Sequence, residues 1–109
     1  MLFRSRTHFT WIGLVQCVAF VLSGFQLEAQ ADKGDRYLRA YAYADAKTAY
    51  EYAVMDDPED IVSWERLARC YEVLRDSRRA EIAYNNCLIL GDSSQQVIHA
   101  WFRAMLENA

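Results

Sequence analysis

Histidine and cysteine are the side chains of this 109-residue chain best suited to bind a metal ion or to act as a nucleophile or base. The two histidines, His8 and His99, lie far apart, and no two of the three cysteines have the CxxC spacing of a zinc or redox site. The chain also lacks a glycine-rich phosphate loop and a nucleophile elbow. We therefore expect no catalytic residue, no metal, no cofactor and no enzymatic activity.

A run of carboxylates surrounds the single proline of the chain, with Asp56 and Asp57 before Pro58 and with Glu59 and Asp60 after it. Carboxylates bind divalent cations, but this run lacks the spaced oxygen ligands and the turn glycine of a calcium loop. Proline favours a turn, and negative charge is favourable at a helix N-terminus. We expect the run to end one helix and to begin the next.

Basic side chains cluster further along the chain, at Arg66, Arg69, Arg75, Arg78 and Arg79. The plain interpretation is solvated charge that complements helix ends. Docking of an acidic segment of a partner is the alternative.

The N-terminal residues have the order of an export signal. Arg4 and Arg6 give a positive start, residues 10–25 are mostly apolar, and residues 29–31 have the small-x-small form that signal peptidase accepts. We expect a mature chain that begins at Asp32, exported to the periplasm or associated with the outer membrane. Cleavage after residue 29 and a retained N-terminal membrane anchor are the alternatives.

Removing residues 1–31 would leave 109 − 31 = 78 residues with 15 − 1 = 14 acidic and 12 − 2 = 10 basic side chains. A net charge of 10 − 14 = −4 is not that of a nucleic-acid-binding domain. A chain of this size supports one small domain. Cys70 and Cys87 would remain, and we favour two buried core residues over a disulfide, because free cysteine packs like a small apolar residue.

The strongest pattern is a self-similarity of small and aromatic residues at a spacing of 71 − 37 = 34 positions. The first set is Tyr37, Ala46, Tyr50 and Ala53, and the second is Tyr71, Ala80, Tyr84 and Cys87. A period of this length is typical of helix-turn-helix repeats, which stack through their helix faces. The sequence therefore predicts an all-α fold whose function is binding.

The helix pairs must approach closely at the small residues. The expected packing positions are Gly34, Tyr37, Ala46, Tyr50 and Ala53 in the first unit, and Trp64, Leu67, Ala68, Tyr71, Ala80, Tyr84 and Cys87 in the second. Glycine weakens a helix relative to alanine, so Gly34 indicates that the neighbouring helix leaves no room for a methyl group there.

The repeat and its turn residues divide the chain into a signal at 1–31, a first unit at 32–60, a second unit at 61–94 and a terminal helix within 95–109. We expect one helix from about Ile61 to Leu74, a second capped by Asp76 and Ser77, and a terminal helix over 95–108. Ser93 with Gln96 is expected to form a capping box for that last helix.

The terminal helix carries Trp101, Phe102, Met105 and Leu106, which are too bulky to be covered from one side. Its apolar residues repeat the pattern found one repeat earlier. The positions of Trp64, Leu67, Ala68 and Tyr71 correspond to Ile98, Trp101, Phe102 and Met105. The helix either caps the stack or begins a third unit. We expect an exposed apolar edge that self-associates through Trp101, Phe102 and Met105 or docks a following domain.

The second unit, from Trp64 to Cys87, resembles the tetratricopeptide repeat in its order of Trp, Leu, small, Tyr, small, aromatic and small residues. The resemblance implies a solenoid of two repeats plus the terminal helix, with an inner groove lined by the first helix of each unit. The corresponding side chains here are Asp35, Leu38, Arg39, Val62, Glu65, Arg69, Glu72, Val73, His99 and Arg103. The groove either binds a protein or peptide partner or is a solvated face between units.

Chaperone-binding tetratricopeptide proteins hold a terminal carboxylate with lysines and asparagines. Asp35 and Arg69 stand at the two asparagine-type positions here, so the resemblance does not extend to that clamp. Three aromatic residues do not fall on the expected packing positions and are the candidates for exposed contacts: Tyr41, Tyr43 and Tyr52. Tyr43 also suits packing in a turn.

A narrower resemblance rests on the string from Tyr37 to Ala46, with Tyr50 to Ala53 and Asp57-Pro58 after it. It is similar to the tetratricopeptide segment at the front of outer-membrane OmpA-type proteins of Bacteroidota, some of which serve type IX secretion. The resemblance implies a docking module of a cell-envelope or secretion assembly. A structural spacer or the N-terminal fragment of a larger OmpA-like protein is the alternative.

Overall fold

Residues 30–109 are described by the computed structural model of the chain, and they form helices joined by short turns. Helix α1 covers residues 30–39, followed by α2 (Tyr43–Asp56), α3 (Ile61–Val73), α4 (Ser77–Ile89) and α5 (Gln95–Glu107). There is no β-strand in this part of the chain, so the predicted all-α class is confirmed there. The expected export signal and N-terminal anchor lie outside the described residues, except for residues 30 and 31, which are helical.

Side chains cap the N-termini of α3 and α4 as the sequence predicts. The carboxylate of Asp60 accepts the backbone N–H of Ser63, and that of Asp76 accepts the backbone N–H of Arg79. Each carboxylate satisfies one amide that the helix itself leaves without an acceptor. The acidic run therefore has the turn and cap role expected of it, and α3 ends at Val73, one residue earlier than predicted.

The expected capping box of α5 is wrong by one residue. Ser94, not Ser93, is the N-cap, and its hydroxyl accepts the backbone N–H of Val97. The third helical position is thus apolar Val97, so Gln96 cannot return a hydrogen bond in the manner of a capping box. Val97 itself is buried in the core.

Consecutive helices pack on one another, α2 on α3, α3 on α4 and α4 on α5, around a single apolar core. Of the twelve packing positions singled out in the sequence, ten are buried, while Tyr37 and Trp64 are half-buried. The helices approach closely at Gly34, where an added Cβ would lie 2.7 Å from the ring of Tyr50. Because that distance is far below van der Waals contact, only glycine fits at position 34 of α1.

Cys70 and Cys87 are fully buried and are not joined by a disulfide. This confirms the prediction of two core residues. Burial raises the pKa of the Cys70 thiol to about 11 and, together with the charge of Asp92, that of Cys87 to about 12. Neither thiol is therefore a reactive nucleophile at neutral pH.

Three helices end in the same way, with one residue in the left-handed conformation. This residue is Tyr41 after α1 (φ 57°), Arg75 after α3 (φ 63°) and Gly91 after α4 (φ 104°). In each turn the next backbone N–H bonds to a carbonyl five residues back, as from Asp76 to Tyr71 at 2.9 Å, which is a Schellman motif. Tyr41 and Arg75 lie one repeat apart, so the first two helix pairs share their turn geometry.

Left-handed backbone is strained for arginine, whose Cβ approaches the following carbonyl oxygen. Replacing Arg75 by glycine should raise the free energy of unfolding by about 0.5–1 kcal/mol, measured by urea denaturation. The matched control is Arg69→Gly at an exposed position in the middle of α3, which should lower it by about 0.5–1 kcal/mol because glycine is a poor helix former. Destabilisation by Arg75→Gly would contradict the turn assignment.

Candidate protein-docking groove

An open groove of about 800 Å³ crosses the faces of α3 and α5 beside the turn that follows α1. The wall from α3 carries Glu65, Arg69, Glu72 and Val73, and the opposite wall comes from the N-terminal half of α5 and Arg103. One end of the groove is closed by Leu38, Tyr41 and Tyr43. The floor of the groove includes Tyr84 of α4. The groove thus combines apolar, aromatic and charged side chains from every helix of the described region.

Seven of the ten side chains that the resemblance places in the groove line it: Leu38, Glu65, Arg69, Glu72, Val73, His99 and Arg103. Asp35 and Arg39 lie instead at a separate shallow surface formed by α1 alone, and Val62 is half-exposed away from the groove. His99 is exposed, as expected of a solvated histidine.

Two arginines lie across the groove from each other, and each has a carboxylate partner. Arg69 pairs with Glu65 one turn earlier on α3 at 2.9 Å, and Arg103 of α5 pairs with Glu72 of α3 at 2.7 Å. The side chains of Arg69 and Arg103 remain 55% and 61% exposed. Exposed pairs contribute little to stability, so the Arg69 guanidinium can turn towards a ligand at low cost, whereas that of Arg103 has to leave the half-buried Glu72.

Glu72 holds three helices together at the floor of the groove. Its second carboxylate oxygen accepts the hydroxyl of Tyr84 from α4 at 2.7 Å, while its first oxygen binds Arg103 of α5. Burial, and then the hydrogen bond to Glu72, raise the pKa of Tyr84 well above its ordinary value. The same carboxylate raises the pKa of Arg103, so the guanidinium stays charged.

Asp35 has the equivalent role one helix pair earlier, outside the groove. Its carboxylate accepts the hydroxyl of Tyr50 from α2 and pairs with Arg66 of α3. Tyr50 and Tyr84 are one repeat apart, and the hydroxyl of each donates a hydrogen bond to a carboxylate on the preceding helix. A third such bond joins Tyr71 of α3 to Glu51 of α2 at 2.9 Å.

Aromatic side chains form one end of the groove. The rings of Tyr41 and Tyr43 lie 6.4 Å apart with a tilt of 56°, and Tyr41 is 77% exposed. Tyr43 is half-buried against the core, in agreement with its expected packing role. Tyr52 is exposed on another face of the molecule, near Lys33 and Asp45. Tyr41 is therefore the exposed aromatic best placed to contact a groove ligand.

Several lining residues were not predicted as groove residues. Gln95, Gln96, Val97 and Ala100 come from the first turns of α5, and Tyr84 comes from α4. The 34-residue period gave a signal for Gln96 alone among these α5 residues, since 96 − 34 = 62 places it one repeat after the groove candidate Val62. No sequence signal marked Tyr84, whose ring fills the core while its hydroxyl reaches the groove floor.

Within residues 30–109 no group of three or more metal-ligating side chains comes together, and no helix is both long and apolar enough to cross a bilayer. Neither a scan against protein-family models nor a search of curated proteins finds a match to this chain.

The tyrosine–carboxylate bonds make the stability of the fold depend on pH in the alkaline range. Burial and the carboxylate partner raise the pKa of Tyr50, Tyr71 and Tyr84 in the folded chain, so the folded state holds these protons more tightly than the unfolded state. Their contribution is complete below the ordinary tyrosine pKa of about 10 and is lost as the pH rises above it.

Titration from pH 8 to pH 12.5, with tyrosinate absorbance and circular dichroism recorded together, tests this dependence. Of the seven tyrosines, these three should ionise only in the step in which helicity is lost. Ionisation of all seven with the helical signal intact would contradict the assigned hydrogen bonds.

Proposed function

We propose that this chain is a tetratricopeptide-type repeat module of two units and a terminal helix, and that it works as a non-enzymatic docking scaffold for another protein. The 34-residue period supports the repeat assignment, because two structural features recur with it. Tyr41 and Arg75 end the first helix of each pair in the same left-handed turn. Tyr50 and Tyr84 each bond to a carboxylate of the preceding helix.

The observation that carries the proposed function is the groove shared by the two units. Two exposed guanidinium groups are offered by Arg69 and Arg103. Apolar contact is offered by Leu38 and Val73, in addition to the aromatic end of the groove. An extended segment of a partner fits this arrangement, with a carboxylate side chain at the arginines and an apolar side chain at the other end. Interfaces of this kind obtain their specificity from charge placement.

The cellular place that we propose is the periplasm or the outer membrane, within an envelope or secretion assembly. This part rests on the signal-like N-terminal residues and on the narrower resemblance to OmpA-type proteins. Export should remove residues 1–31, and intact mass measurement on chain recovered from the periplasm should give an N-terminus at Asp32. Recovery of the uncleaved chain in the membrane fraction would support the anchored alternative instead.

The groove is tested with peptides selected from a random displayed library against the wild-type chain. The double variant Arg69→Glu/Arg103→Glu should weaken their binding at least about tenfold, because reversed charge repels an acidic side chain. The matched control is Arg78→Glu on α4, an exposed arginine that does not line the groove. It should bind as the wild type does.

Circular dichroism separates lost binding from lost folding. The double variant should retain the wild-type helical signal, because the buried residues of α5 still pack against α4. Equal binding by the wild type, the double variant and the Arg78→Glu control would exclude the groove as the docking site. That result would favour the structural spacer, for which no groove substitution matters.

A further inference from the structure

An ion pair joins the two walls of the groove. Arg103 of α5 reaches Glu72 of α3, with 2.7 Å between the guanidinium nitrogen and the carboxylate oxygen. A helix with its side chains is about 10–12 Å across, so a ligand helix cannot descend between walls that one ion pair joins. An extended segment is narrower, and it is the form of ligand that can reach the groove floor at Tyr84.

The walls of the groove offer a ligand no backbone with which to pair. The wall from α3 lies within the helix, where the N–H and C=O groups bond to one another. In α5 the hydroxyl of Ser94 accepts the N–H of Val97, and helical bonding begins with the N–H of Ile98. Strand addition needs the edge of a sheet, and residues 30–109 contain no β-strand. The main chain of an extended ligand must therefore stay solvated or lack N–H groups.

The exposed polar side chains of the groove are mostly hydrogen-bond donors. Arg69 and Arg103 carry donors and no acceptor, and the phenol of Tyr41 can also donate. The carboxylates of Glu65 and Glu72 are only 28% and 25% exposed, and each already accepts from an arginine. The groove therefore suits a ligand that is rich in acceptors and poor in N–H donors.

The aromatic end of the groove presents a ring to the ligand. Tyr41 is 77% exposed, and its ring lies against that of Tyr43 with 6.4 Å between the ring centroids. Tyr43 is in turn half-buried against the core, so Tyr41 is supported from one side and open on the other. An exposed aromatic face of this kind packs well against the ring of a proline.

Arg69 is the groove arginine best able to receive a ligand carboxylate. Its own partner, Glu65, lies one turn earlier on the same helix, so their pair joins no separate elements. Arg103, by contrast, attaches α5 to α3 through Glu72, which also accepts the hydroxyl of Tyr84. A ligand that recruits Arg69 leaves the packing of the helices unchanged.

We propose that the ligand of the groove is a proline-rich segment in the polyproline II conformation, with a proline ring against Tyr41 and a carboxylate at Arg69. This conformation is extended and makes no internal hydrogen bonds, so its backbone needs no partner from the walls. Each proline keeps its carbonyl acceptor but has no N–H, which matches a groove of donors. The inference rests on the proposed docking function and names the class of ligand.

The exposed apolar edge expected on α5 lies outside this groove. Phe102 is 51% exposed there, whereas Trp101 packs against the core and Met105 is only partly exposed. The predicted edge is thus correct for Phe102 and wrong for the other two residues. None of the three lines the groove, so the edge takes no part in selecting the proline-rich ligand.

Synthetic peptides of about eight prolines, with one glutamate placed at each internal position in turn, test the proposal by calorimetric titration of the full-length chain. At least one placement should bind about tenfold more tightly than the peptide of prolines alone, because the glutamate adds a charge-assisted hydrogen bond at Arg69. The same peptide with alanine in place of every proline should bind at least about tenfold more weakly, because it is flexible and carries unpaired N–H groups.

Tyr41→Gly tests the aromatic contact without loss of folding. Glycine favours the left-handed backbone of position 41, so the variant should be at least as stable as the wild type to urea. It should nevertheless bind the best proline peptide at least about tenfold more weakly, because the ring that packs on proline is gone. The matched control is Tyr52→Ala on α2, which removes a ring that is 54% exposed on another face. It should bind as the wild type does.

The outcomes separate this inference from the docking function itself. Equal binding of the proline and alanine peptides, or full binding by Tyr41→Gly, would overturn the proline-rich ligand. If peptides from the random library need Arg69 and Arg103 whereas no proline peptide binds, the docking function stands and this inference fails. If neither kind of peptide depends on the two arginines, both fail together.

Discussion

Two helices can approach closely only where one of them has almost no side chain, and this constraint determines the rest of the structure. Gly34 lies against the ring of Tyr50, where a methyl group would be 2.7 Å from a ring carbon. Ala46, Ala68 and Ala80 are fully buried at further points along the stack. The aromatic rings fill the space beside these small residues, so the spacing between helices is fixed by alternating small and large side chains.

The hydroxyl groups of the buried tyrosines explain the charged side chains around the groove. A buried tyrosine hydroxyl needs a hydrogen-bond partner, and here the partner is a carboxylate on the preceding helix. Asp35 of α1 and Glu72 of α3 are in turn paired with arginines two helices further along, Arg66 of α3 and Arg103 of α5. The groove arginine Arg103 therefore has a structural partner already, and a ligand carboxylate has to compete with Glu72 for it.

The sequence predicted much of the fold because its signals are local or periodic. The caps at Asp60 and Asp76 follow from residue type and spacing, and the need for glycine at position 34 follows from its cost in a helix. The error at Ser94 arose because Ser93 with Gln96 matches the capping-box pattern, whereas the N-cap that forms is Ser94, which is followed three residues later by apolar Val97. The tyrosine–carboxylate bonds were not predicted, since they depend on side-chain directions across two helices. Asp35, which the resemblance assigned to the groove, instead binds Tyr50 and Arg66.

The most direct test of the central claim is the coupling between Gly34 and Tyr50, measured by urea denaturation of a double-mutant cycle. In the wild-type background, Gly34→Ala should lower the free energy of unfolding by about 1–3 kcal/mol, because the methyl group collides with the ring. In a Tyr50→Leu background the same change should be neutral or stabilising by up to about 1 kcal/mol, since alanine favours the helix. An equal effect of Gly34→Ala in both backgrounds would contradict close approach as the constraint that sets this structure.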